Sequence, residues 1–177
     1  MDSNMSTFRF TTITEGLPST VPFVGPETQE RENNSLFKAR LGANENVFGP
    51  SPLCVEAMQN AAKDTWMYGD PENFDLKEKL ATLHNTNVKN IVIGEGIDAL
   101  LGYLCRLFIE PGDNVVSSLG AYPTFNFHVS GYGGILKTVP YLNDCEDPLS
   151  LLNLARESQA KLWRPRSRLY RRLRERE

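Results

Sequence analysis

The chain has 177 residues, 40% of them apolar and 23% charged, a balance that supports one folded domain with an attached arm. No run is apolar and long enough to span a bilayer, and Met1-Asp2-Ser3-Asn4-Met5-Ser6 lacks the basic start and apolar stretch of a secretory signal, so a cytoplasmic location is expected. The formal charge of −3 conceals a division: residues 162–177 hold seven Arg against two Glu, which leaves the first 161 residues at −8. Cys54, Cys105 and Cys145 are widely spaced, with no CxxC pair or His/Cys cluster to suggest zinc, and are expected to be three buried, reduced thiols.

In chain order, residues 1–40 carry Gly16, Pro18, Pro22, Gly25 and Pro26 with no sustained period, and read as an irregular arm. Ser51-Pro52 signals a helix start, the hydroxyl as N-cap and proline at the first helical position. Val55, Met58, Ala62 and Trp66 follow at helical spacing. After a turn at Met67-Tyr68-Gly69-Asp70-Pro71, a second amphipathic helix places Leu76, Leu80 and Leu83 on one face. Ile91-Val92-Ile93 reads as a short buried strand, Gly94-Glu95-Gly96 as a tight turn, and Ile97–Ile109 as a helix apolar on more than one side, hence enclosed. Glu110-Pro111-Gly112-Asp113 stops that helix, and Val115-Val116 opens the next strand. A loop at 119–123 leads to a short helix ending at Gly131, then to a strand at Ile135–Val139. Asp147-Pro148 caps a last helix running to about Ala160. Strands alternating with helices over short connections define an α/β layer on a largely parallel sheet.

Three segments bear on chemistry. Gly94-Glu95-Gly96-Ile97-Asp98 joins a strand end to a helix start. Helix tips leave N–H groups unpaired and favour an anion, and glycine lets a ligand approach closely. The segment is either a phosphate cradle or simply a tight strand–helix connection. It is not a dinucleotide fingerprint, because the third glycine is missing, so a cofactor with one phosphate fits better. Tyr122, held by Pro123 at the end of a strand, is either a plate for a flat heteroaromatic ring or a core tyrosine. The amide-rich run Leu41–Pro52 is either a capped loop ahead of a helix or a loop facing a substrate.

In sequence order, Asn44-Glu45-Asn46, Gly49-Pro50-Ser51-Pro52, Met67-Tyr68-Gly69-Asp70-Pro71, Gly94–Asp98, Glu110-Pro111-Gly112-Asp113 and Ala121-Tyr122-Pro123 resemble the motifs of fold-type I, pyridoxal-phosphate-dependent aminotransferases. The resemblance is strongest to the histidinol-phosphate aminotransferase branch and covers about Arg40 to Val139. It implies a partial large domain of that fold at 41–161, preceded by the arm at 1–40 and followed by an Arg-rich tail at 162–177. It further implies that the backbone N–H groups of Gly96, Ile97 and Asp98 hold the phosphate of pyridoxal 5'-phosphate and that Tyr122 stacks on its ring. Tyr68 would reach the phosphate of the other subunit's cofactor in a homodimer, Asn44 would lie near the substrate, and Phe23–Glu27 would cover the neighbour's site. The implied reaction is amino transfer between an amino acid and a 2-oxo acid. Two positions depart from the family pattern: Ile97 stands where a small residue is usual, and Val47 where proline is usual.

In that family the cofactor-linking lysine and the acid beside the pyridine nitrogen follow well after the Tyr122-type loop. Lys38, Lys63, Lys77, Lys79, Lys89, Lys137 and Lys161 match no such site and are expected at the surface, while His84 and His128 are assigned surface or packing roles. No catalytic residue is assigned. The abrupt change at Leu162 leads us to expect a truncated form, inactive alone, whose tail is read in a shifted frame. Two other functions compete. The tail would make the chain a nucleic-acid or membrane binder through Leu162, Leu169 and Leu173 with arginines around them, although Pro165 interrupts that helix and the acidic body opposes it. Alternatively, the chain is a non-catalytic partner of a full-length paralogue.

Overall fold

The computed structural model describes residues 9–17, 23–40 and 45–164. Two units divide the chain, one formed by residues 24–93 and the other by 1–23 together with 94–177. The Arg-rich segment from Pro165 onward and Asn44 lie outside the described residues.

The second of these units is the α/β layer that the alternating pattern predicted. Helix α5 (Gly96–Phe108) leads into strand β1 (Asn114–Ser118), followed by α6 (Pro123–Gly131), β2 (Ile135–Val139), α7 (Pro148–Glu157) and β3 (Leu162–Arg164). The sheet order is β2-β1-β3 and both pairings are parallel, with Val116 opposite Lys137 on one side and Trp163 on the other. Leu162–Arg164, the first residues of the Arg-rich segment, therefore belong to the sheet. The chain crosses from β1 to β2 in one direction and returns past β1 to β3 in the other. Under the right-handed rule for parallel crossovers, α6 and α7 then fall on opposite faces.

The core follows from that placement. Val115, Val116, Ser117 and Ser118 of the central strand are all buried, as expected for a strand covered on both faces. Val115 packs with Leu101, Cys105 and Ile109 of α5 and its exit and with Phe125 and Val129 of α6. Val116 packs on the other side with Val139, Leu151 and Ala155. At the entry edge, Gly112 donates to Gly133 O (2.9 Å), Ile135 to Asp113 O (2.8 Å) and Lys161 to Asn114 O (2.9 Å), which sets the register of all three strands. Gly134 is required there: a Cβ would stand 2.9 Å from Ile109 Cγ2 and 3.0 Å from Val129 Cγ1. The Asp147 carboxylate caps α7 as the sequence indicated, accepting from the Ser150 amide and hydroxyl.

Several expectations need correction. Ile91–Ile93 forms no strand among the described residues, and Val92 is largely exposed; an extended segment becomes a strand only where a neighbour completes its ladder. Helix α5 is not enclosed. It buries Leu101, Gly102 and Cys105 and exposes Ile97, Leu107 and Phe108, because one face suffices to cover the sheet. Of the cysteines only Cys105 is buried, while Cys54 and Cys145 are exposed. The arm is not wholly irregular: Thr12–Glu15 (α1) packs against α6, and Pro26–Asn33 forms α2.

The other unit contains α2, α3 (Pro52–Ala61, continued as a 3-10 turn to Asp64) and α4 (Phe74–His84). The Ser51 hydroxyl makes no capping bond; its carbonyl instead accepts from Cys54 and Val55. The predicted helix stops short of Trp66, which is exposed. Helix α2 has no apolar stripe, and its anchor is polar. Glu30, only 9% exposed, accepts from the Phe37 amide (3.0 Å) and from Arg40 (2.6 Å), which also binds Glu27 (2.6 Å). The Arg40 partner, then the Phe37 amide, hold the Glu30 carboxyl below its ordinary pKa.

No helix among the described residues is long and apolar enough to cross a membrane. Nor do the described residues include three or more His, Cys, Asp or Glu placed to hold a metal.

Candidate functional site

Helices α5 and α6 both pack on the same face of β1 and both end at the edge where the strands begin, Ile109 meeting Gly134 there. Both therefore start at the opposite edge, where the strands end. With thirteen and nine residues, their tips are offset by ~6 Å along the axes at the usual rise per residue. Adding a normal interaxial spacing places them ~10 Å apart. The topology thus brings Gly96–Asp98 and Tyr122, far apart in sequence, to one sheet edge, the edge at which parallel α/β layers bind ligands.

At the α5 tip, Gly96 holds φ +79°, left-handed backbone that favours glycine, and nothing lies within 4 Å of where a Cβ would stand. The Gly96 N–H turns back to Gly94 O at 2.7 Å. The next amides, Ile97 and Asp98, lie in the first turn, where no intrahelical acceptor exists. No side chain caps the helix. Glu95, at the N-cap, instead accepts from the Tyr103 hydroxyl at 3.1 Å. The ring of Tyr103 lies against Gly94, where a Cβ would come within 3.1 Å of it. The carboxylate acceptor, and then its charge, raise the pKa of the Tyr103 hydroxyl.

At the α6 tip, Tyr122 is the N-cap residue with 44% of its surface exposed, so it is no core tyrosine. The loop before it is held at each step. Leu119 N–H donates to Val139 O (2.8 Å), Ala121 N–H to Ser118 O (3.0 Å), and Phe125 N–H to Tyr122 O (3.1 Å). Tyr141, just after β2, donates its hydroxyl to Gly120 O (2.9 Å), and its ring fills the place a Gly120 Cβ would take. On the other face, the buried Ser118 hydroxyl meets Glu146 (2.9 Å).

Tyr68 lies in the other unit, fully exposed on a turn that Asp70 stabilises by accepting from the Glu72 and Phe74 amides. The Phe74 amide, then the Glu72 amide, lower the Asp70 pKa. His128 packs against Gly102, where a Cβ would stand 3.1 Å from the imidazole ring, in line with a packing role. Five of the seven lysines are exposed; Lys77 and Lys137 are half-buried. Sequence reading missed Tyr103, Glu95 and Tyr141. Tyr141 carried a usable signal, since it follows a strand end just as Tyr122 does. The pairing of Glu95 with Tyr103 depends on the helix folding the two together.

The structure is an open parallel sheet with helices on both faces, and two helix tips at its carboxyl edge mark the candidate site of an α/β layer. Comparison with known proteins names the family. The family model described as Aminotransferase class I and II matches residues 38–163, and the chain belongs to that family. It is 43% identical over 91 residues to histidinol-phosphate aminotransferase of Methanocella arvoryzae, covering 51% of this chain and 25% of that protein. It is 34% identical over 123 residues to histidinol-phosphate aminotransferase of Moorella thermoacetica, covering 70% of this chain and 32% of that protein. The fold matches the crystal structure of histidinol-phosphate aminotransferase from Sinorhizobium meliloti in complex with pyridoxal-5'-phosphate. That match has a TM-score of 0.82 and 52% identity, over 90% of this chain and 42% of that one. The chain therefore spans 25% to 42% of the length of these relatives. The resemblance read from the motifs and the expected α/β class are both borne out.

Proposed function

We propose that this chain carries the phosphate-and-ring cradle of a pyridoxal-phosphate-dependent aminotransferase, acting in the whole protein on an amino acid and a 2-oxo acid. The observation that carries the reading is the meeting of two helix tips at one sheet edge, one uncapped and opened by Gly96, the other bearing Tyr122. The residues present fit the cofactor: the tip of α5 has space over a bare Cα and unpaired amides, and a half-exposed aromatic ring stands about one small molecule away.

The Ile97 and Asp98 amides bind and orient the phosphate, with Gly96 supplying the open turn. Tyr122 covers one face of the ring, excludes water from it and fixes its tilt. Pyridoxal phosphate, when bound, supplies the electron-withdrawing ring on which amino transfer depends. Tyr68, on its exposed turn, serves the phosphate of a second subunit in a homodimer, and Asn44, outside the described residues, is assigned a substrate-binding role by the family resemblance. The similarity to histidinol-phosphate aminotransferases favours histidinol phosphate, in place of an amino acid, as the amino donor to the 2-oxo acid.

Binding tests this reading with residues of this chain alone. Titration of the full chain with pyridoxal phosphate, followed by absorbance, is expected to saturate. Inorganic phosphate should compete, and pyridoxal without its phosphate should bind far more weakly. Tyr122→Ala should weaken affinity by about 2- to 12-fold, the equivalent of an aromatic contact. Equal binding of pyridoxal and its phosphate ester would sink the assignment of the α5 tip.

A further inference from the structure

Any anion at the tip of α5 has a rival within the chain. Glu95 is the N-cap residue, and its carboxylate can turn back onto the open amides of the first turn, where unpaired N–H groups and the helix dipole favour negative charge. In this structure it does not: α5 has no side-chain cap, and Glu95 Oε2 accepts from Tyr103 Oη at 3.1 Å. Helical side chains lean toward the N-terminus, which lets Tyr103, two turns into α5, reach back over the turn. The path is clear because residue 94 is glycine. A Cβ there would crowd Tyr103 Cε2 and Leu100 Cδ2, both at 3.1 Å.

We propose that Tyr103 is a positioning residue for the anion site: its hydroxyl holds the Glu95 carboxylate off the Ile97 and Asp98 amides, so that a phosphate monoester and not the chain's own acid occupies them. This rests on the assignment of the phosphate to the α5 tip. The first turn already contains Asp98, so a second carboxylate swinging in would add repulsion as well as competition. Glu95 and Tyr103 are both substantially exposed, so changing either leaves the buried core of the unit intact.

The test is a double-mutant cycle on the full chain, with pyridoxal phosphate and inorganic phosphate as probes. Tyr103→Phe removes only the hydroxyl and should weaken both probes by roughly 3- to 10-fold, the scale of one carboxylate placed at a helix tip. Glu95→Gln alone should bind at least as tightly as the parent. In the double variant, affinity should return to the Glu95→Gln level, a rescue that a packing defect would not show. Uncharged pyridoxal should be indifferent to Tyr103→Phe. A double variant as weak as Tyr103→Phe, or a Tyr103→Phe variant that binds like the parent, overturns the proposal while leaving the phosphate site standing. A parent chain that binds neither probe removes the site and the proposal together.

Discussion

Phe125 and Phe108 offer a direct test of where the core lies. Phe125 is fully buried on α6 among Leu101, Cys105, Ile109, Val115 and Val129, whereas Phe108, at the end of α5, is 53% exposed. Truncating a fully buried phenylalanine to alanine costs about 3–5 kcal/mol, lost transfer energy plus an unfilled cavity. At Phe108 about half the transfer term is already absent and no closed cavity forms, so the cost is ~1 kcal/mol. With a urea dependence of ~1–3 kcal/mol per molar, the same for both variants, Phe125→Ala should lower the midpoint by at least ~1 M, and Phe108→Ala by about a third of the Phe125→Ala shift or less. Trp163 on β3 packs beside the opposite core cluster and reports this unit, and a Trp66→Phe background silences the tryptophan of the other. Equal shifts for the two variants, or a larger one for Phe108→Ala, would refute this packing.

Two further outcomes follow from single residues. Cys105 is buried and its thiol is pushed up to about 11 by burial, so alkylation of the native chain should label Cys54 and Cys145 only, with the third label appearing under denaturant in the mass spectrum; rapid labelling of Cys105 in the native chain would contradict its placement. The Asp147 carboxyl is held below its ordinary pKa by the Ser150 hydroxyl and then the Ser150 amide. Its stabilising effect is therefore fully present above the ordinary Asp range and is lost as pH falls through the lowered value. Asp147→Ala should reduce the urea midpoint near neutral pH, and the gap to the parent should close on acidification; a gap independent of pH would exclude the cap as its cause.

What the sequence disclosed was local. Strand β2 stands at the predicted bounds, and Asp147-Pro148 both announces and caps α7, because a cap signal and a strand between a Gly-Gly break and a proline are written within a few residues. The α5 tip and Tyr122 were legible for the same reason, and the parallel-sheet rule then placed them on one edge. Non-local terms were not legible. Helix α2 has no apolar period, and it is tied by Glu30 to Phe37 and Arg40, seven and ten residues onward. Ile91–Ile93 has the composition of a strand, but pairing requires a partner that no local pattern can supply. The exposure of Cys54 and Cys145 depends on what packs against their elements, which composition does not encode.

The anion site proposed at the α5 tip and a rival one on the Arg-rich segment predict opposite salt dependences. Residues 1–161 carry −8 and residues 162–177 carry +5. A phosphate at the tip is bound by short-range amide contacts against the repulsive field of an acidic body, a field that salt screens over ~8–10 Å. Raising ionic strength should therefore leave the affinity for pyridoxal phosphate at the tip unchanged or slightly higher. A phosphate held by clustered arginines behaves in the opposite way, because each ion pair is weakened by screening. Titrations at low and physiological salt, on the parent and on a chain with the seven arginines of 162–177 changed to glutamine, separate the two. Affinity that falls steeply with salt in the parent and disappears in the variant would move the anion site from the backbone tip to the tail.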